Sequence, residues 1–358
     1  MGPGTVATAA RAGVLNGYGY LPVVVIAAAA GYVFMEMTAR ITIVSEQTLG
    51  QILRSGGGSL VPVVTFLSVL FGCMAYQAGN LLGALGGLRL LLPADQWWLI
   101  PLAGAVVALL WSGSTARVGR VMTYVVSGMG LLFLVAAVRV ALGGGVRSTT
   151  GAGVDPTVLF GLIGTTIVPY NFFLAAGLGS GSKLEDMRRG LGLSFGIGMV
   201  ITAAILIVGS VAPVFVSFAD LGDALENILG GYGKLALGAG LFAAGFSSAA
   251  TAPLAAAVAG RELLGFDSGG WVFRGVWLSV LLTGLGVALL QLDIIGVIVI
   301  AQVINGLLLP FIALVVFVLA NRRSLMGERV NRWWQNLLSG AVLLFIFYKA
   351  GEFLLGLL

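Results

Sequence analysis

The stretches Leu191–Ala212 and Ile298–Ala320 contain no charged residue from end to end. About 20 consecutive apolar residues are enough to cross the hydrocarbon core of a bilayer. No water is available there to pair exposed peptide groups, so a spanning segment must satisfy them internally, as a helix. Similar runs recur along the whole chain, which is 59% hydrophobic and only 9% charged over 358 residues. A soluble domain carries about 25% charged residues, so this composition excludes one. The 55 glycines let helices approach closely, as packing in lipid favours. The chain therefore reads as an all-α, multi-pass integral membrane protein.

Ten long segments are expected, at about 20–44, 60–88, 97–113, 121–142, 156–178, 191–212, 235–260, 271–290, 293–320 and 334–357. A stub from Gly2 to Asn16, too short to span, precedes them. Alternating the loops puts Arg40, Arg54, Arg117, Arg120, Lys183, Arg188, Arg189, Arg261, Arg274, Arg322, Arg323, Arg329 and Arg332 on one side, 13 of 19 basic residues. Lys and Arg concentrate on the cytoplasmic side, which orients the chain in the plasma (inner) membrane. Trp97-Trp98 and Trp333-Trp334 fall at span ends, where aromatic side chains anchor at the lipid–water interface. The net charge of +5 thus reports topology and lipid contact; no basic stripe offers nucleic acid a groove. Cys73 is the single cysteine and there is no histidine, the commonest neutral-pH acid/base and metal ligand. With no nucleophile motif or phosphate loop either, an enzyme and a bound cofactor are not expected.

The stub carries Gly2-Pro3-Gly4-Thr5, and the fifth long segment carries Val168-Pro169-Tyr170-Asn171. In each, a proline precedes a small polar residue at membrane depth, where it removes a helical hydrogen bond and clashes with the preceding turn. Matched interruptions in two halves of a chain point to a transporter's binding site; a simple kink is the alternative. The first half is about 1–142, the second about 156–320, with an extra C-terminal helix at about 334–357. No signal-peptide pattern opens the chain. A start half-way up a membrane would put an α-amino group where charge is expensive. The natural start is therefore expected upstream, with a further half-helix before Gly2, unless the terminus sits in a water-filled cavity.

At these residues the chain resembles the NRAMP family of divalent-metal transporters. That family's Asp-Pro-Gly-Asn pattern reads here Gly2-Pro3-Gly4-Thr5, followed by Ala7-Thr8 and Ala12-Gly13, and its Met-Pro-His-Asn reads Val168-Pro169-Tyr170-Asn171. The stretch Glu36–Val44 is similar to the end of the family's second helix. Ala301–Phe311, closing with Leu325-Met326-Gly327, is similar to its tenth helix and the segment after that helix. The resemblance implies a LeuT-type inverted repeat of eleven helices, here ten full spans plus a partial first helix. The family's metal-binding Asp, Asn, Met and His correspond to Gly2, Thr5, Val168 and Tyr170, and the acids of its proton route to Gln77 and Asn80. Left as oxygen donors are the hydroxyls of Thr5 and Tyr170, the Thr165 carbonyl if unwinding frees it, and the Gln302 amide, with Asn171 beside them. Neutral oxygens suit a hydrated hard cation such as Mg²⁺ better than a dehydrated soft metal.

Few charges remain inside the membrane. Glu36 and Arg40 are spaced for an i,i+4 ion pair, read as a salt bridge near the cytoplasmic end with Arg40 snorkelling to lipid headgroups. A sharper reading makes Glu36 a cation ligand in the vestibule or a protonatable coupling group. Arg11 reads as an interfacial charge or a counter-charge for an anion. Asp293 falls at an outer boundary and Arg261 with Glu262 at an inner one; Asp220, Asp223 and Glu226 form an acidic outer loop. Met35, Met37, Cys73 and Met74 read as packing residues rather than soft ligands. The expected function is secondary transport of a small divalent cation, Mg²⁺ leading. A small polar organic solute, and a membrane sensor or scaffold without transport, are the alternatives.

Overall fold

A computed structural model describes residues 2–56, 58, 60–112, 115–143, 155–173, 183–267 and 270–355. Among the described residues every regular element is helical: α1 (Pro3–Asn16), α2 (Leu21–Ser45), α3 (Leu49–Ser55), α4 (Leu60–Leu91), α5 (Leu99–Ser112), α6 (Thr115–Leu142) and α7 (Pro156–Thr166), then α8 (Leu184–Gly209), α9 (Phe218–Leu229), α10 (Gly233–Leu264), α11 (Trp271–Leu289), α12 (Ile294–Ala320) and α13 (Trp333–Leu355). Nine helical stretches among the described residues are long and apolar enough to cross a membrane.

The 97–113 segment is found as the apolar helical stretch Gln96–Ser112, with residue 113 outside the described residues. Two expectations are corrected. The acidic outer loop is instead the amphipathic helix α9, which buries Phe218, Leu221 and Leu225 and is started by a reciprocal Ser217–Asp220 cap. The sixth segment begins earlier than expected, at Leu184, so Arg188 and Arg189 ride on α8 rather than in a loop. The stub joins the first long segment through a 3-10 turn at Gly17–Tyr20, where Gly17 takes φ 49°, a conformation side chains resist.

Element order repeats across the chain. α3 is a short helix between α2 and α4, and α9 lies likewise between α8 and α10. α4 and α10, 32 residues each, share the most extensive helix–helix interface. Small residues make these contacts close: a Cβ on Gly83 would strike the ring of Pro3, and one on Gly164 would strike the Gln302 backbone carbonyl. α1 and α7 are thereby held against α4 and α12.

Candidate substrate site

The fifth segment breaks where local sterics require. The residue before a proline, here Val168, is disfavoured in the helical region, and α7 ends just ahead of it at Thr166, with Ile167 already non-helical at φ −114° and ψ 84°. Beyond the break, Asn171 N donates to Val168 O at 3.0 Å and Phe172 N to Pro169 O at 3.3 Å, opening a new helical turn. Residues 174–178 of this segment lie outside the described residues. At the stub, Pro3 occupies the first turn of α1 and Gly2 caps it in an extended conformation. Thr5 N donates to Gly2 O at 3.1 Å, the counterpart of the Asn171–Val168 bond. Both prolines thus stand at the start of a helical segment, where a missing N–H costs nothing.

The start of α1 meets the end of α7. Thr5 Oγ1 and Thr165 Oγ1 are 3.0 Å apart and share a hydrogen bond. The C-terminus of α7 ends at this point, with Ile167 N donating to Ile163 O at 2.8 Å, and the carbonyl end of a helix favours cations. Thr5, Thr165, Thr166, Val168 and Asn171 line a cavity of about 260 Å³, closed by Val24 and Ala28 of α2 and by Ser194, Phe195, Gly198, Met199 and Thr202 of α8. Among the described residues no ionisable side chain lines it, and no cluster of three or more Cys, Asp or Glu is spaced to hold a metal.

The other expected residues distribute around this cavity. Gln302 is absent from the cavity lining and packs its amide against Gly4 of α1; its Nε2 donates to Ile298 O at 3.4 Å and its Oε1 has no partner. Gly2 faces Ser248 of α10. Tyr170 is outside the cavity: its ring meets Tyr76 edge-on at 6.0 Å, within the apolar cluster that includes Cys73 and Phe172. Gln77 donates from Nε2 to Ala249 O at 3.0 Å, while Gln77 Oε1 and Asn80 Nδ2 are buried without partners. Carboxamides have no titratable proton at neutral pH, so these two positions cannot relay one as carboxylates would.

Glu36 and Arg40 sit toward the C-terminal end of α2, the end that the excess of Lys and Arg assigns to the cytoplasm. Arg40 Nε donates to Glu36 at 3.3 Å, and Arg188 of α8 binds the same carboxylate through Nε at 2.9 Å and a terminal nitrogen at 2.7 Å. Arg40 does not snorkel. It is 2% exposed, and its two terminal nitrogens donate to Arg329 O and Asn331 Oδ1, so the corner after α12 supplies the acceptors that lipid headgroups were expected to provide. Glu36 and Arg40 line a separate vestibule of about 440 Å³ with Tyr32, Arg188, Arg329 and Arg332. Sequence reasoning missed Tyr76, Asn305 and Thr8. Asn305 has neither amide atom partnered, nor has Thr8 its hydroxyl. Thr8 and Asn305 fall inside the family-like stretches of α1 and α12, and their polarity in an apolar helix was the available signal.

A family model described as "Natural resistance-associated macrophage protein-like" matches residues 1–355. The chain belongs to this family, Nramp. It is a multi-pass transporter, not an enzyme. Among curated relatives, the chain is 27% identical over 373 residues to "Divalent metal cation transporter MntH 1" of Pseudomonas aeruginosa, covering 95% of this chain and 84% of that one. It is 26% identical over 359 residues to "Divalent metal cation transporter MntH" of Deinococcus radiodurans, covering 93% and 81%. A solved Eremococcus coleocola manganese transporter, mutant H236A, superposes with a TM-score of 0.80 at 19% identity, over 98% of this chain and 82% of that one. The nucleobase-cation-symport-1 family transporter Mhp1, closed on bromovinylhydantoin, gives 0.56 at 19% identity, over 98% and 89%. The fold is the LeuT type that the family resemblance implied.

Proposed function

We propose that this chain moves a small divalent cation across the plasma membrane by alternating access, in hydrated form, with Mg²⁺ the first candidate. One observation carries the reading: the cavity beside the helix break is lined by Thr5, Thr165, Thr166, Asn171, Ser194 and Thr202, with no ionisable side chain among the described lining residues. Stripping a divalent ion of water and leaving it without a compensating charge is prohibitively costly. An ion that keeps its inner waters needs only hydrogen-bond acceptors. Mg²⁺ dehydrates reluctantly and is held through its waters. A water takes about 30 Å³ in the liquid, so 260 Å³ has room for an ion with its first shell. Relatives named for divalent metal cation transport support the substrate class. With Gln77 and Asn80 in place of acids, coupling to protons in the family's manner is not expected.

The test is uptake by the purified protein in liposomes with a panel of Mg²⁺, Mn²⁺ and Ca²⁺. Saturable Mg²⁺ flux, insensitive to an imposed pH gradient, is expected. Preference for Mn²⁺ without Mg²⁺ flux refutes the hydrated-ion reading. A second reading, a small polar organic solute, is favoured by the opposite wall of the cavity, where Val24, Ala28, Val168, Phe195 and Met199 present apolar surface. Inhibition by such a solute, with no metal flux at all, would favour it.

A further inference from the structure

The same two helices that close the substrate cavity also frame the cytoplasmic vestibule. α2 contributes Val24 and Ala28 to the first and Tyr32, Val33, Glu36 and Arg40 to the second. α8 runs antiparallel beside it, giving Thr202, Gly198 and Phe195 to the first and Arg188 and Leu184 to the second. Along this seam the two cavities, about 260 and 440 Å³, are only about one helical turn apart, since Ala28 and Tyr32 are about 6 Å apart along α2 at 1.5 Å per residue. Among the described residues the Phe195 ring fills that turn: a Cβ on Gly31 would collide with it, and one on Gly192 would reach van der Waals distance of the Tyr32 ring. Below the contact, Arg188 grips Glu36 at 2.7 Å and ties the helices together.

We propose that the α2–α8 seam is the route by which the cavity at the helix break opens to the cytoplasmic vestibule, with Phe195 as its gate and the Arg188–Glu36 pair as its latch. The proposal rests on the transport reading above for what passes, but not for the opening itself. The route begins at substrate-site groups, since Thr5 and Thr165 line its upper cavity. Polar side chains mark both ends: Thr166, Asn171, Ser194 and Thr202 above, and Glu36, Arg40, Arg188 and Gln335 below. Among the described residues, the Phe195–Gly31 contact and the neighbouring Tyr32 ring lie between them. A ring lying on a glycine needs a single side-chain rotation to clear the way, which is compatible with repeated opening. Arg188 is 42% exposed, so its bond exchanges readily with water.

The experiment reads accessibility rather than flux. In a Cys73→Ala background, which removes the one native thiol, Thr202→Cys serves as reporter in sealed inside-out vesicles containing the full chain. A charged, membrane-impermeant maleimide is added from the cytoplasmic face. Slow labelling is expected, accelerated about tenfold by Phe195→Ala, equivalent to about 1.4 kcal/mol in the opening equilibrium. Arg188→Gln, which leaves the buried Glu36–Arg40 pair in place, should accelerate it also. Phe195→Leu is the milder variant should Phe195→Ala fold poorly, and its rate should fall between. An unchanged rate in the folded Phe195 variants overturns the proposal, as does equally fast labelling from right-side-out vesicles. A protein inert in every uptake assay but labelled as described keeps the route and loses the substrate reading. One that transports with labelling indifferent to Phe195 does the reverse.

Discussion

Arg40 is the residue whose removal should disturb the buried charges most. Its side chain is 3% exposed and its Nε stands 3.2 Å from a Glu36 oxygen, a pair worth about 5 kcal/mol of attraction at an effective dielectric of about 20. Desolvation of both ions offsets much of this, so the net worth of the pair is small. Removing one partner of a buried pair costs about 3–5 kcal/mol. With Arg40 gone, Glu36 still has Arg188, so Arg40→Met should fall toward the lower end of that range, mainly by freeing the acceptors Arg329 O and Asn331 Oδ1. Glu36→Gln leaves the buried Arg40 charge with neutral acceptors only and should cost about as much. The double variant should cost well below the two together, with a coupling of about 2 kcal/mol, inside the range for contacting residues. Denaturant unfolding in mixed micelles, run as a double-mutant cycle, reads all three numbers. Arg188→Gln is the contrast: with its side chain 42% exposed, screening holds its contribution to about 1 kcal/mol or less. Additivity within about 0.5 kcal/mol, or equal costs for Arg40 and Arg188, would refute the assignment of Arg40 as a buried, protein-satisfied ion.

Three further outcomes are expected. Thr5→Val and Thr165→Val each remove one end of the 3.0 Å hydroxyl pair while keeping shape; uptake should fall at least about tenfold with stability changed by about 1 kcal/mol, and full flux in both would remove these hydroxyls from the site. Asn305→Leu deletes two buried amide atoms that have no partner; the thermal midpoint should hold or rise, and a loss of about 1–3 kcal/mol would show that the amide is satisfied by bound water. Gly164→Ala drives a methyl onto the Gln302 backbone carbonyl, with Gly306 N 2.8 Å from the same point; because backbone cannot swing aside, it should cost about 1–3 kcal/mol, whereas Gly104→Ala, with open space around it, should not.

Much of the architecture was legible because the membrane restricts the choices. Run length decides what spans, as in Ile298–Ala320, and backbone satisfaction decides that it is helical. The break at Ile167-Val168 follows from one local clash, that of Pro169 with the residue before it. α9 was also readable: Phe218, Leu221 and Leu225 recur at helical spacing, but three acids drew attention to charge instead. The site residues divide differently. Thr5, Thr165, Val168 and Asn171 lie within a few residues of the two prolines, so their proximity to the break was visible, and the cavity holds all four. Tyr170 shares that neighbourhood in sequence, yet its ring joins the apolar cluster with Tyr76, since side chains one residue apart leave a turn in different directions.

The prolines beside Thr5 and Val168 act through backbone sterics, and their effect needed only the chain itself. So did the excess of arginine on one side, because lipid sorts charge by position along the sequence. Which turns face each other needed the folded molecule. Arg188 reaches Glu36 across 152 residues, Arg40 finds Asn331 across 291, and Phe195 covers Gly31, none of them marked by periodicity or motif. In a chain whose helices are apolar nearly all round, hydrophobicity sets no preferred face, and close packing between small residues settles the register instead.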